Sequence, residues 1–597
     1  MTNPSEIYKQ QLSILHSELA LLNKRRSLLG WLRLFTMVGA LILIWFIWSG
    51  GLLSLLPLPL LLIGLFLFIL AKDIDNNATI ENKKRLQQIN ETEIEILNHH
   101  FTHLPDGSIY KPEAHAYAND LDIFGRASLY QYINRCTSEQ GNILFSNWLL
   151  QPASKETILL RQQAIKELTT ELNWRQQLQS FGMKTTITNA TQQKIETWLL
   201  QPNKFLHSST WKFFKYFLPA ISFILLILHL TDVLSSVFFY PLIFLMLILS
   251  FGISKLVMPA YLQLDNIAKQ LESLSDSISW IEKKEFISPL LQQLKNKYKS
   301  GASTSSKAIK ELKNILDRFD IRLNPLVFIP LNTFLFWDLQ QVFALEKWRL
   351  TNKQNINEWF HALAEIESLS SLSSFNFNHP ENSFPVLSDN EGVFIAEELG
   401  HPLIQKEKLV CNSFSTERLG QMNLITGSNM AGKSTFLRSV GVNIVLAMMG
   451  SSVVSKSLVL SPLKVLSSMR VSDNLEESTS TFYAELKKLK EIIDAVYNNE
   501  KVFLLLDEIL RGTNSADRHT GSRALIKQLI LHNAAGLIAT HDLELTKLAD
   551  EFPDNIHNYH FDVQMENDEL YFDYKLKRGI CRSMNASLLM KKIGIEI

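Results

Sequence analysis

In the run Gly427-Ser428-Asn429-Met430-Ala431-Gly432-Lys433-Ser434-Thr435 the first eight residues fit the pattern G-x-x-x-x-G-K-[ST], and the flanks narrow the possible folds further. The apolar run Met422 to Thr426 reads as a buried strand before them, and Phe436-Leu437-Arg438-Ser439-Val440 opens a helix after them. Strand, glycine-rich turn and helix in that order make a phosphate-binding loop. The glycines let backbone amides approach the phosphates, and the helix N-terminus adds positive potential. Residues 427 to 435 are therefore the expected nucleotide-binding segment, with Lys433 bridging the β- and γ-phosphates of ATP and Ser434 holding Mg²⁺.

A second signal lies downstream. Val502-Phe503-Leu504-Leu505-Leu506-Asp507-Glu508 is an apolar strand that ends in two carboxylates. At this distance from a phosphate loop, Asp507 is expected to hold Mg²⁺ through water and Glu508 to orient and activate the hydrolytic water. From about residue 396 short apolar strands alternate with helices, the pattern of a mostly parallel nucleotide-binding sheet. Lys and Arg together number 59, as do Asp and Glu, so affinity for a nucleic acid would need local basic patches. Cys136, Cys411 and Cys581 are far apart and form no CxxC pair, which suits a reducing cytosol and suggests neither a disulfide framework nor a zinc site.

The N-terminal half has a different texture. Residues 1–30 read as a cytoplasmic helix ending in the basic cluster Lys24-Arg25-Arg26. Residues 31–71 are almost wholly apolar, broken by Ser49-Gly50-Gly51, Pro57 and Pro59, and their length suits two short spans in a hairpin. The apolar side chains between Leu34 and Trp48 favour insertion by roughly 3–5 kcal/mol, enough to carry Arg33 at the edge of the span. A second hairpin is expected over 213–255, with Asp232 in its turn. Lys24, Arg25, Arg26 and Arg33 precede the first pair, Lys72 follows it, Lys212 and Lys215 precede the second and Lys255 follows that one. The positive-inside rule then puts the soluble segments in the cytoplasm. Between and after the hairpins, 72–117 reads as a helical arm, 118–212 as packed helices and 256–395 as further long helices before the nucleotide-binding domain of 396–597.

Several stretches resemble the MutS family. Ser128-Leu129 through Asn134-Arg135, Thr137, Gly141, Trp148-Leu149 and Pro152, followed by Arg161-Gln162 and Ala164-Ile165, resemble its core and lever region, and Glu365 to Leu372 resembles the end of its lever. Arg470 to Leu486, with Ser478-Thr479-Ser480-Thr481-Phe482, Asp507-Glu508-Ile509-Leu510-Arg511-Gly512-Thr513, and Ala539-Thr540-His541-Asp542-Leu543-Glu544-Leu545 resemble three segments of its ATPase domain. Val410-Cys411-Asn412 resembles the stretch beside the adenine, and Tyr574-Lys575-Leu576 with Gly579, Ser583 and Ala586 resembles its end region. The resemblance implies that Ser480 reaches the γ-phosphate of ATP held by a partner subunit and that His541 senses the phosphate at its own site. Hydrolysis would then depend on pairing of two chains. The chain departs from the family pattern at Ser428 and Ala431, usually Pro and Gly, without losing a backbone donor. No mismatch-reading domain is expected ahead of the core, nor a helix-turn-helix after Ile597.

The expected architecture is an α/β P-loop ATPase domain of the ABC type at the C-terminus, preceded by an all-α core and lever region carrying two transmembrane hairpins. The expected function is that of a membrane-anchored MutS-family ATPase in the cytoplasmic membrane. It would use ATP and Mg²⁺, with Lys433, Ser480, Glu508 and His541 as the catalytic set. Its expected partners are a second copy of itself, the bilayer through four spans, and DNA of the mismatch-repair kind as the resemblance implies. A membrane-tethering or remodelling ATPase without DNA is the alternative. A transporter-type ATPase fits less well, because Ser-Thr-Ser-Thr-Phe stands where the LSGGQ signature would be.

Overall fold

The computed structural model of the chain describes residues 3–50, 57–300, 303–428, 431–469, 481–562, 564–566 and 569–581. Helix α1 (Pro4–Gly50) and helix α2 (Pro57–Leu97) run antiparallel along one another. Pro57 begins α2, a position where an amide hydrogen would have no helical partner anyway. The polar and apolar parts of each helix are continuous, so the expected boundaries at residues 30 and 71 fall inside helices. Their register is pinned by Lys83 to Glu18 at 2.6 Å, the Asn76 amide donating to the Leu22 carbonyl at 3.1 Å, and Arg33 to Asp73 at 3.0 Å. Arg33, which the sequence places at the edge of the apolar run, thus has a carboxylate beside it.

Helix α3 (Ser209–Leu230) and helix α4 (Ser236–Leu262) form the second pair. Among the described residues four helices, α1 to α4, are long and apolar enough to cross a membrane, and no more than 17 % of the apolar window of any is buried. Trp31, Phe35, Trp45, Phe217, Phe244 and Leu256 all face outward. Apolar surface this continuous needs a cover other than water. Helix α5 (Pro325–Leu335) lies against this second pair and meets helix α6 (Trp337–Asn352) at a 79° bend, made at Phe336 in the left-handed conformation.

The helix Ile356–Asn378 runs through the centre of the all-helical region, buried along most of its length. Its serines explain how: Ser368, Ser371, Ser373 and Ser374 are small enough for neighbouring helices to approach, and each hydroxyl returns a hydrogen bond to the carbonyl four residues back. Glu367 on the same helix accepts from the hydroxyls of Thr137 and Ser138, both at 2.5 Å, while Ser138 caps the helix Glu139–Leu150. Burial raises the Glu367 pKa above the usual carboxylate range, against those hydrogen bonds. Nearby, Arg135 grips Glu93 of α2 through Nε at 2.5 Å and Nη2 at 3.2 Å, and Asn378 donates to the same carboxylate at 2.7 Å while accepting from Tyr8 of α1 at 2.8 Å. Four separate parts of the chain meet at that buried pair.

The C-terminal domain holds a six-stranded sheet: β1 (Met422–Thr426), β2 (Lys464–Ser468), β3 (Val502–Asp507), β4 (Ala535–Ala539), β5 (Ile556–Phe561) and β6 (Leu576–Arg578), in the order 6-5-1-4-3-2. All neighbours are parallel except β6 on β5. A smaller four-stranded sheet, containing Phe394–Leu399 and Asn412–Thr416, stands beside it. Helix α7 (Lys433–Met449) follows β1 and is buried almost throughout between the sheet and the helical core.

Burial pushes the Glu93 carboxylate up, but the charge and hydrogen bonds of Arg135, helped by Asn378, outweigh it and hold its pKa below the usual range. The pair's stabilisation is therefore complete above the ordinary carboxylate pKa and is lost as pH falls through the lowered value. Arg135→Met should destabilise the fold by about 3–5 kcal/mol, because it leaves a buried carboxylate unpaired. Adding Glu93→Leu should recover most of the loss; denaturant titration of the three variants at pH 7 measures both effects.

Candidate functional site

β1 ends at Thr426 and the chain turns at Gly427, whose φ of 141° lies outside the range of ordinary side chains. A Cβ there would stand 2.8 Å from the Phe561 carbonyl of β5. Gly432, with φ 101°, caps α7, and a Cβ on it would press on the Tyr574 ring. These two positions show why the loop needs glycine at its ends.

Lys433 starts α7 and folds back over the loop. Its ammonium donates to the carbonyls of Gly427 at 2.7 Å and Ser428 at 3.0 Å, and lies 3.2 Å from Nε2 of His541. Burial lowers its pKa to about 8, against the pull of Glu508 and Asp507. Ser434 points the other way and donates to Asp507 Oδ2 at 2.5 Å. The second oxygen of Asp507 is buried without a hydrogen-bond partner. A hydroxyl, a carboxylate and a spare buried carboxylate oxygen form a hard-oxygen donor set of the kind Mg²⁺ takes when phosphates and water complete its shell. Ser434 and Asp507 could therefore hold that ion.

Glu508 follows β3 in the left-handed conformation, φ 50°, with its amide bonded to the Ala539 carbonyl of β4 at 2.9 Å. This non-glycine strain turns its side chain toward β4. One carboxylate oxygen lies 2.8 Å from His541 Nε2 and the other 3.1 Å from Arg511 Nε. The hydrogen bond from His541 is the largest influence that keeps the Glu508 pKa below its ordinary value, with burial opposing it. Nε2 of His541 cannot serve both neighbours in one way: protonated it donates to Glu508, unprotonated it can accept from Lys433.

Lys433, Ser434, Asp507, Glu508 and His541 thus converge from three strands, and β4 lies between β1 and β3. Asn429, Met430 and Ser480 fall outside the described residues, as do Ser583 and Ala586. Gly427, Ser428, Ala431, Gly432 and Thr435 stand in the loop and the first turn of α7 as the spacing predicts. Beside Gly432 and Thr435 a cavity of about 270 Å³ is lined by Leu409, Val410, Asn412, Phe436 and Tyr574, a mostly apolar slot next to a phosphate-type loop. Asn412 spans its rim, donating to the Tyr574 carbonyl at 3.0 Å and accepting from the Leu576 amide at 2.8 Å.

Two contributors were not assigned a role from sequence. Arg511 clamps Glu508, and Glu485, on the helix Thr481–Tyr497, accepts from the Leu510 amide and so fixes the turn after β3. Both lie in the family-like stretches, but nothing in their spacing indicates that the two segments touch.

Residues 423–592 match the family described as MutS domain V. The C-terminal part of this chain belongs to the MutS family. The DNA mismatch repair protein MutS of Natronomonas pharaonis is 32 % identical over 249 residues, which is 40 % of this chain and 28 % of that protein. The protein of the same name from Ehrlichia chaffeensis is 33 % identical over 224 residues, 37 % of this chain and 27 % of its own length. The MutS protein homolog 4 of Mus musculus is 33 % identical over 199 residues, 32 % and 20 % of the two chains. The matched segment thus spans a fifth to just over a quarter of the length of these relatives, and it folds as the mixed α/β sheets described above.

If the buried ammonium meets phosphate oxygens, Lys433→Met should weaken binding of Mg-ATP to this MutS domain at least about tenfold, the loss expected for a charge-assisted hydrogen bond. Isothermal titration of the full chain, with the melting temperature as a control for folding, measures it.

Proposed function

We propose that the chain is a membrane-anchored MutS-type ATPase that hydrolyses ATP at a site shared by two copies and couples that cycle to binding of DNA. The observation that carries the reading is the meeting of Lys433, Glu508 and His541 beside the Ser434–Asp507 pair, on a domain of the MutS family. In this reading the loop amides and Lys433 bind the phosphates, and the apolar slot by Tyr574 takes the base. Mg²⁺, when bound at Ser434 and Asp507, supplies charge neutralisation on the phosphates. Glu508 stays ionised at neutral pH, accepts a hydrogen bond from the attacking water and orients it. Arg511 and His541 hold that carboxylate in place. Ser480 of a second copy would complete the site.

The relatives are named for DNA mismatch repair, and this supports DNA as the partner. The four long apolar helices support a multi-pass anchor, and the basic residues beside them support a cytoplasmic ATPase domain.

Glu508→Gln should lower kcat for ATP hydrolysis about a hundredfold or more while leaving the Kd for ATP within about threefold; steady-state turnover with parallel binding measurements tests the assignment. Duplex DNA should bind the purified full chain with an affinity that falls linearly in log–log form as salt rises. Titration with matched and mismatched duplexes, with and without ATP, checks this, and no binding at about 50 mM salt would favour the tethering ATPase without DNA.

A further inference from the structure

Helix α5, Pro325-Leu326-Val327-Phe328-Ile329-Pro330-Leu331-Asn332-Thr333-Phe334-Leu335, is apolar on nearly every side, and its sequence position among the long soluble helices gives no hint of where it packs. It lies on the second hairpin. Ser222 of α3 donates to the Thr333 carbonyl at 3.2 Å, Asn332 donates to Ser254 of α4 at 2.9 Å, Phe328 meets Phe251 edge to face and Phe334 meets Phe223 at a tilt, both pairs with ring centroids 6.2 Å apart. The chain then bends through 79° at Phe336 and returns to the level of Lys215, whose carbonyl accepts from Gln340 at 2.8 Å. Ser222 is about 10 Å along α3 from Lys215 at 1.5 Å per residue, so α5 dips about that far and comes back. Leu323, Leu326, Val327 and Ile329 remain exposed, continuous with the outward apolar faces of α3 and α4.

Between α4 and α5 run two clefts, of about 730 Å³ and about 610 Å³, which meet at Ile329. The first is walled by Tyr240, Phe244 and Leu247 on one side and Pro330 and Phe334 on the other. The second ends at Lys255 and Arg322. From Lys255 to Tyr240, at the far end of the first cleft, is about 22 Å along α4, more than half of a roughly 30 Å hydrocarbon core. Arg322 is already paired, with Asp338 at 2.9 Å, and Asp320 accepts from the Tyr261 hydroxyl at 2.5 Å. Lys255 has neither a hydrogen bond nor an ion pair among the described residues, leaving one positive charge at the mouth of an apolar groove that runs more than half-way across such a core.

We propose that this groove binds one anionic phospholipid of the cytoplasmic leaflet, its acyl chain lying between α4 and α5 and its headgroup phosphate on Lys255 beside Arg322. The assignment rests on the reading of α3 and α4 as membrane spans. It makes α5 a re-entrant element leading into α6, whose Glu346 accepts from the backbone amides of Lys204, Phe205 and Leu206 just ahead of α3.

The test is native mass spectrometry of the detergent-purified full chain, incubated with dioleoyl phosphatidylglycerol, dioleoyl phosphatidylcholine or inorganic phosphate. One phosphatidylglycerol per chain should be retained with about fivefold preference over phosphatidylcholine, the preference that one basic side chain near a headgroup supplies. Lys255→Gln should abolish the preference, Lys255→Arg should keep it, and Ile329→Trp, which fills the junction of the clefts, should lower occupancy by both lipids. Equal retention of both lipids by the wild type, an unchanged preference in Lys255→Gln, displacement of the lipid by equimolar inorganic phosphate, or a second chain bound in place of lipid would each overturn the site. Vesicle flotation after an alkaline wash separates the two readings. Wild type and Lys255→Gln should both stay with the vesicles. A wild type that washes off overturns the membrane spans and the lipid site with them, whereas a wild type that floats without lipid preference overturns the lipid site alone.

Discussion

The position of β4 between β1 and β3 is the constraint on which the nucleotide-type site depends. β1 delivers the loop and Lys433, β3 delivers Asp507 and Glu508, and these strands are not neighbours. With β4 paired in parallel to both, Gly536 to Ala539 against β1 and Ala535 to Ala539 against β3, its C-terminal end brings His541 between the lysine and the carboxylate. The same parallel arrangement puts all three strand ends at one edge of the sheet, where backbone amides of α7 also point. No single loop could hold these groups within 3.2 Å of each other; a sheet whose strands are buried along their whole length can.

The site is tied to the helical core by one buried carboxylate. Asp120 accepts from Ser467 at 2.7 Å and from Lys488 at 2.6 Å, and its carbonyl accepts from Arg438 of α7 at 3.0 Å. Ser467 lies one residue from the end of β2, Lys488 lies on the helix whose Glu485 holds the turn after β3, and Arg438 lies just over one turn into α7. A shift of any of these elements must move Asp120 or break a buried charged hydrogen bond, so motion at the nucleotide-type site and motion in the helices are mechanically joined. The buried helix Ile356–Asn378 in turn reaches the first hairpin, where its Asn378 touches both Tyr8 and Glu93.

Much of the site was legible in the sequence because its chemistry is local. Gly427 to Thr435 and Val502 to Glu508 each carry their own strand, turn and functional side chain, so spacing alone finds them. The four apolar helices were legible for the same reason, since twenty consecutive apolar residues leave few alternatives. Arg511, Glu485 and Asp120 were not, because each acts through a partner more than two dozen residues away or through a turn whose shape depends on that partner. Arg33 illustrates the limit: its place at the edge of an apolar run is visible, but its pairing with Asp73, forty residues on, is fixed by the register of two antiparallel helices.

By itself, then, the sequence determined the elements: a glycine-rich loop between a strand and a helix, a carboxylate-ended strand, four long apolar helices and the MutS-like segments of the C-terminal domain. Hydrophobic period and glycine position act within a few residues and need no partner. Only the tertiary structure decided which strand lies between which, that His541 stands 2.8 Å from Glu508, and that the short apolar helix Pro325–Leu335 folds back onto the second hairpin. Those outcomes follow from packing between distant segments, where burying an apolar face or pairing a buried charge selects one arrangement among several that the local pattern allows equally.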